Sequence, residues 1–241
     1  MTDKTVLITG ANKSIGYETA RQLGGQGFRI WLGSRDADRG QAAAASLAAE
    51  GIVVRALTLD VTSDESVRCA VARVEREDGK LDILINNAGI SGLQPILPSE
   101  QPLHDIKAIY ETNVFAPIRV TQAFLPLLKA TIDASVIMVS SGLGSLGWLS
   151  DPSNQFHGVN ILGYNSSKTA LNAVTVAFAK ELAACGITVN AADPGYTATD
   201  FNGHSGYRTV DQAAAGIVWL ATRTGRDMTG RFYFDQNEVP W

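Results

Sequence analysis

The 241-residue sequence predicts a doubly wound α/β fold, a parallel sheet with helices on both faces, in a single domain spanning residues 1–241. Three observations predict it. Short apolar runs alternate with amphipathic helical stretches, and runs that are apolar throughout belong to strands buried on both faces. No linker, repeat or low-complexity tract divides the chain. With 45% hydrophobic residues, a chain of this length buries enough apolar surface to need no disulfide or structural metal.

The first strand is Thr5–Thr9, and Phe28–Leu32, Val53–Leu59, Leu81–Ile85, Ser135–Val139 and Ile187–Ala191 follow, with a short last strand near Arg231–Phe234. The helical stretches between them are Ile15–Gly25, Asp38–Ala49, Asp64–Glu77, Pro102–Lys129, Gly163–Cys185 and Val210–Thr222. Right-handed crossovers between parallel strands place these helices on both faces. The Ala-rich patch Ala42–Ala49 is good helix sequence. In such sheets a ligand crevice lies beyond the carboxyl ends of the strands, so the residues just after each strand are the candidates for function.

Composition narrows the classes. A net charge of −4 and no basic stripe argue against nucleic acid or a membrane surface as partner. No run reaches the length of a membrane span. The start of the chain shows no basic segment leading into an apolar core and cleavage site, so a soluble, cytoplasmic protein is expected. Cys69 and Cys185 are far apart, outside any CxxC spacing, and read as buried small hydrophobes. His104, His157 and His204 are scattered without ligand spacing, so no metal is expected.

The first strand runs into Thr9-Gly10-Ala11-Asn12-Lys13-Ser14-Ile15-Gly16. Gly10 permits a sharp turn, Gly16 permits close helix–strand packing, and the following helix aims free N–H groups at a phosphate. This turn resembles the TGxxxGxG pattern of the short-chain dehydrogenase/reductase family, with Ser14 where the middle glycine is usual. Serine carries a Cβ, so positive φ there is less accessible.

The resemblance continues along the chain and implies a Rossmann-type fold binding a nicotinamide cofactor. After the second strand, Ser34 takes the family's acidic position, and Arg35 follows. Lys13 and Arg35 together suit the 2′-phosphate of NADP(H); Asp36 is the feature that would suit NAD(H) instead, or would cap the next helix. Asp60-Val61 matches the adenine-contact position, or a helix-capping Asp and a core Val. Asn86-Asn87-Ala88-Gly89 is the family's NNAG, a more specific signal than the first turn, with Asn87, Ala88 and Gly89 against the cofactor. Asp193-Pro194-Gly195-Tyr196-Thr197-Ala198-Thr199 resembles PGxxxT, in which Pro194 and Gly195 turn beneath the nicotinamide and Thr197 and Thr199 hold its carboxamide. On this reading the cofactor contacts are Gly10, Asn12, Lys13, Ser14, Ile15, Gly16, Arg35, Asp60, Val61, Asn87, Ala88, Gly89, Tyr164, Lys168, Pro194, Gly195, Thr197 and Thr199.

Tyr164 and Lys168 are four apart and share a helix face. An ammonium beside a phenol favours phenolate and is expected to lower the tyrosine toward neutrality. With Ser140-Ser141 closing the fifth strand, the pair resembles the family's Ser–Tyr–Lys arrangement. Ser141 then holds the substrate oxygen, with Ser140 the alternative. Asn113 matches the fourth catalytic position. Pro117, four residues on, cannot donate to the Asn113 carbonyl, which would leave that oxygen for a water leading from Lys168 to solvent; a Pro-kinked helix is the plainer account.

The ending Gly230–Phe234 and Pro240-Trp241 looks like carbonyl-reductase-type members. Ser141 and Tyr164 are 23 apart, more than is common in the family. The extra segment, Gly147–Leu162, carries Trp148 and Phe156 and is expected to line the substrate pocket with Ser141 and Tyr164. The implied activity is hydride transfer between NADPH and a ketone or aldehyde, with a small carbonyl or alcohol as partner and a possible homo-oligomer. The alternatives are an NAD-linked alcohol dehydrogenase and a non-catalytic NADP(H)-sensing protein.

Overall fold

The computed structural model describes residues 3–93, 97–223 and 228–241. These residues form one eight-stranded sheet: β1 (Thr5–Ile8), β2 (Arg29–Ser34), β3 (Val54–Thr58), β4 (Ile83–Asn86), β5 (Ser135–Val139), β6 (Thr188–Asp193), β7 (Phe232–Phe234) and β8 (Asn237–Glu238). The spatial order is β3-β2-β1-β4-β5-β6-β7-β8. Every pairing is parallel except β7 with β8. The predicted doubly wound sheet is therefore observed. The antiparallel β8 was not anticipated, because two residues leave no periodicity to read.

The helices are α1 (Ser14–Gly25), α2 (Ala37–Ala49), α3 (Asp64–Asp78), α4 (Leu103–Tyr110), α5 (Ala116–Lys129), α6 (Leu146–Ser150), α7 (Leu162–Leu182) and α8 (Val210–Thr222). Alternate strand residues feed two apolar layers, as the two-residue period of a strand requires. Leu7, Leu84, Val136 and Met138 pack with α3, α5 and α7. Val6, Ile8, Ile83, Ile85 and Ile137 pack with α1, α2 and α8. No described helix is long and apolar enough to cross a membrane.

Two expectations change. The stretch 102–129 is not one α-helix: α4 and α5 are joined by a turn of π-helix, Glu111–Phe115. Pro117 accounts for this, since it has no N–H to continue the α-helical ladder and its ring crowds the preceding turn. Cys69 and Cys185 are both exposed rather than buried. Cys69 lies on the outer face of α3, and Cys185 closes the turn after α7, where solvent rather than core is the neighbour.

The turn after β1 holds a local backbone strain at the crevice. Ser14 sits at φ 57°, in the left-handed region where a Cβ costs about 1–2 kcal/mol. Ser14→Gly is accordingly expected to raise stability by about 1 kcal/mol, or about 2–4 °C in Tm for a chain of this size. Thermal unfolding of the two proteins checks this; an unchanged or lower Tm contradicts it.

Candidate active site

The sheet order reverses between β1 and β4, and the loops leaving those strands diverge to opposite faces. That is where a doubly wound sheet opens a crevice. Its floor is a reciprocal hydrogen-bonded lock. The Thr9 hydroxyl oxygen accepts from Asn87 N at 2.9 Å and Ala88 N at 3.0 Å. The Asn87 amide donates back to the carbonyls of Thr9 and Gly10 at 2.9 and 3.2 Å. Gly16 must be glycine here: a Cβ on it would lie 2.5 Å from Asn87 Nδ2 and 2.8 Å from the Gly10 carbonyl.

The cleft above this floor measures about 850 Å³ and runs across the carboxyl edge of the sheet. It is lined by Gly10, Asn12, Lys13, Ser14, Ile15, Gly16, Arg35, Asp60, Val61, Asn87, Ala88, Gly89, Tyr164, Lys168, Pro194, Gly195, Thr197 and Thr199, so every cofactor-contact residue named from the sequence faces one space. A groove of about 780 Å³ between α3 and α5 is comparable in size but lies away from these residues.

The cleft fits a nucleotide phosphate at one end. Helix α1 starts with no side-chain cap and no acid in its first turn, whereas α2 and α3 are capped by Asp36 and Ser63. Uncapped N–H groups at a helix start are an anion site. Arg35 stands at the mouth, exposed. Asp36 is committed elsewhere: its carboxylate accepts from Arg39 N at 3.0 Å and pairs with the Arg39 guanidinium. Lys13 is not a free cation. Its Nζ lies 2.7 Å from Asp200 across the cleft, and Asp200 also meets His204 at 3.0 Å. The Asp60 carboxylate accepts from the backbone N–H and hydroxyl of Thr62, which hold it below the usual carboxylate range.

At the other end lie the polar residues of β5, α7 and β6. The serine pair divides. Ser140 is buried and its hydroxyl donates to Asn172 Oδ1 at 2.6 Å. Ser141 is left beside Tyr164, and its Oγ accepts from Leu143 N at 3.2 Å. Lys168 Nζ donates to the Val139 carbonyl at 2.8 Å and lies 5.7 Å from the centre of the Tyr164 ring.

The tyrosine is not lowered as expected. Burial pushes Tyr164 well above its ordinary value, with the Ser141 hydrogen bond opposing and the Asp193 charge adding. Burial also pulls Lys168 down to about 8, with Asp193 opposing. Desolvation of both groups outweighs the favourable pairing that spacing alone suggested.

Asn113 sits inside the π-helical turn, fully buried. Its side chain braces the loop after β4. Oδ1 accepts from Ile90 N at 2.9 Å, and Nδ2 donates to the Ile90 carbonyl at 2.9 Å and to Ser167 Oγ at 3.1 Å. The side chain is therefore spent on architecture, leaving the main chain as the part that faces other roles. Thr197 donates to the carbonyls of Pro194 and Gly195, and Thr199 caps the short turn Asp200–Asn202. Gly195, at φ 71°, allows this reversal.

Of the inserted segment, Phe156 lines the cleft, together with Gln155, Val159 and Ile161. Trp148 does not. It lies behind Phe156, ring centres 5.4 Å apart, on the short helix α6. The base of the insertion is tied to the chain end: the Trp241 carbonyl accepts from Gly147 N at 3.2 Å and Ser145 Oγ at 3.2 Å.

Several lining residues escaped sequence reasoning. Phe201 stands edge-on to Tyr164 at 5.6 Å, and Tyr196, Tyr207 and Leu143 border the same space. The signal was the long connection between β6 and α8, which holds three aromatic residues in an otherwise polar loop. Buried Asp193 was quoted from the sequence only as part of the PGxxxT run.

A family model for short chain dehydrogenases matches residues 4–208. A short-chain dehydrogenase of Penicillium roqueforti, anuI, is 34% identical over 246 residues, covering 99% of this chain and 97% of that protein. The (+)-neomenthol dehydrogenase of Arabidopsis thaliana is 31% identical, covering 99% and 98%. Among solved structures, the NADPH-bound carbonyl reductase from chicken fatty liver superposes with a TM-score of 0.87 at 28% identity, over 100% of both chains. A short-chain dehydrogenase from Burkholderia cenocepacia in complex with NADP gives 0.81 at 30% identity, over 97% of both.

The bracing role of Asn113 is open to test. Asn113→Ala strips a buried acceptor from Ile90 N and a donor from its carbonyl, a loss of about 1–3 kcal/mol. Denaturant unfolding should show that loss; a midpoint equal to wild type means the Ile90 loop is held by other contacts.

Proposed function

Because the chain belongs to the short-chain dehydrogenase family, we propose that it is an NADP(H)-dependent carbonyl reductase or alcohol dehydrogenase, with Tyr164 as proton donor and acceptor. The observation that carries this reading is Tyr164 set beside Ser141, with Lys168 behind the ring, at the end of a cleft suited to a dinucleotide. The cofactor supplies the hydride. Ser141 steadies the substrate oxygen and Tyr164 delivers the proton to it. Burial keeps Tyr164 protonated at neutral pH, the form that carbonyl reduction needs. Lys168 anchors beside the ring, held by the Val139 carbonyl. The Asn113 carbonyl, denied an N–H by Pro117, serves as anchor for a water between Lys168 and solvent.

Three features favour NADP(H) over NAD(H). Ser34 replaces an acid at the end of β2, Arg35 and Lys13 line the same end of the cleft, and Asp36 is taken up by its helix cap. The apolar rim formed by Leu143, Phe156, Phe201 and Tyr207 favours bulky or cyclic ketones over small ones.

An NADPH-oxidation screen over ketones, aldehydes and diketones tests the activity. Tyr164→Phe should lower kcat about a hundredfold or more, and an active Tyr164→Phe protein rules out the assigned role. Arg35→Ala should raise KM for NADPH about tenfold and leave NADH nearly unchanged, the loss of one charge-assisted hydrogen bond; equal losses with both cofactors reject NADP(H) selectivity. Phe156→Ala should change the ranking of kcat/KM between small and bulky ketones, whereas Trp148→Ala should act mainly on stability. An unaltered ranking in Phe156→Ala removes it from the pocket.

A further inference from the structure

The segment that follows β7 ends against the inserted segment beside the cleft and has no part in the chemistry of Ser141 and Tyr164. β7 and β8 form a hairpin, with Tyr233 opposite Glu238 and Phe234 opposite Asn237. Val239 N donates to the Phe232 carbonyl at 2.8 Å and carries the ladder one step further. Pro240 has no N–H to extend it. The Trp241 ring stacks on Phe232, with centres 5.6 Å apart and planes 17° from parallel. Phe232 is fully buried, so the stack fixes Trp241 to a rigid part of the sheet.

So anchored, Trp241 offers its carbonyl to the start of α6. The carbonyl accepts from Gly147 N at 3.2 Å and from Ser145 Oγ at 3.2 Å. Ser145 also caps α6, its Oγ accepting from Trp148 N at 3.2 Å. Gly147 N belongs to the N–H groups at a helix start that find no acceptor within the helix, and Trp241 supplies one. A helix of five residues has too few internal hydrogen bonds to hold itself, so its place is set by what it is tied to.

From α6 two contacts lead to Phe156. His157 Nδ1 donates to the Leu149 carbonyl at 3.0 Å, and the Trp148 ring packs behind the Phe156 ring at 5.4 Å. Phe156 in turn lies against the turn directly after Ser141: a Cβ on Gly142 would fall 2.6 Å from Phe156 Cε2. Loss of the Trp148 ring leaves the Leu149–His157 link in place. Loss of the Trp241 anchor frees α6 as a unit.

We propose that Trp241 is a positioning residue for substrate choice. Stacked on Phe232, it holds α6 through its carbonyl, and α6 holds Phe156 over Gly142 as a wall of the pocket. The proposal rests on the carbonyl-reductase reading of the site. Without the Trp241 ring α6 shifts, and bulky ketones lose a wall that small ones do not reach.

The test compares wild type, Trp241→Ala, Trp241→Phe and Ser145→Ala in NADPH-driven reduction of a small and a cyclic ketone. Trp241→Ala is expected to lower kcat/KM for the cyclic ketone about tenfold relative to the small one, mainly through KM, with Kd for NADPH unchanged. Trp241→Phe keeps a ring to stack on Phe232 and should restore the wild-type ratio. Ser145→Ala takes one donor from the same carbonyl and should move the ratio in the same direction, which keeps the test available if Trp241→Ala folds poorly. In a Phe156→Ala background Trp241→Ala should change the ratio no further, because both act through one side chain. A lower Tm with an unmoved ratio, a Trp241→Phe ratio no better than that of Trp241→Ala, or changes that add in the double variant overturn the proposal. Hydrogen exchange reads the brace directly: amides of residues 145–157 should exchange faster in Trp241→Ala than in wild type. A wild type inert toward every ketone rejects the carbonyl-reductase reading and the substrate role with it, whereas an active wild type with unchanged exchange in Trp241→Ala rejects only the brace.

Discussion

The lock between Thr9 and Asn87 is the constraint on which the site depends. A parallel sheet gains a crevice only where neighbouring strands send their loops to opposite faces, and here that happens between β1 and β4. Left alone, the two loops would close over the gap or expose unpaired backbone groups. The threonine hydroxyl and the asparagine amide pair those groups across the gap instead, which lets small residues form the floor. Gly16 has no Cβ because the Asn87 amide occupies its place. Asn113 extends the same bracing by holding Ile90 on the far side of the Ala88-Gly89 stretch.

At the other end of the cleft, burial sets the chemistry. Tyr164, Lys168 and Asp193 share a region where the charged form of each is disfavoured by loss of water. A tyrosine so placed does not ionise because a lysine is near. It stays protonated, and the lysine itself is drawn toward neutrality. Burial pushes the Asp193 carboxyl above the usual carboxylate range, and the Gly195 N–H and the Arg208 charge oppose this only in part. The raised phenol and the lowered lysine are then two consequences of one arrangement of buried groups.

Much of this was legible in the sequence, for reasons that differ by element. Six strands announced themselves as apolar runs, and β8 did not, because two residues have no pattern. The turns that line the cleft were readable because each follows a strand directly, at the carboxyl edge of the sheet. The choice of Ser141 over Ser140 came from the family resemblance alone; what occupies Ser140, Asn172 a turn of helix beyond Lys168, was not readable. The fates of Trp148 and Phe156 were equally hidden: both are apolar residues of one inserted segment, and only packing decides which faces the cleft and which supports it. The sign of the tyrosine shift was misread because sequence spacing shows a neighbour's charge and says nothing of the water that both groups lose.

The two acidic residues on either side of the β6 loop show how exposure divides exchangeable from fixed contacts. Asp200 pairs with Lys13 across the open cleft, with both side chains 58% exposed. Water screens such a pair and leaves it little net strength, so it opens at small cost. Asp193, seven residues earlier in the same connection, is enclosed, and its carboxyl accepts from the part-buried backbone N–H of Gly195. Breaking that contact strips an enclosed carboxyl of a partner, a far larger penalty. The loop after β6 is therefore pinned at its start and held loosely at Asp200, on the open side of the cleft.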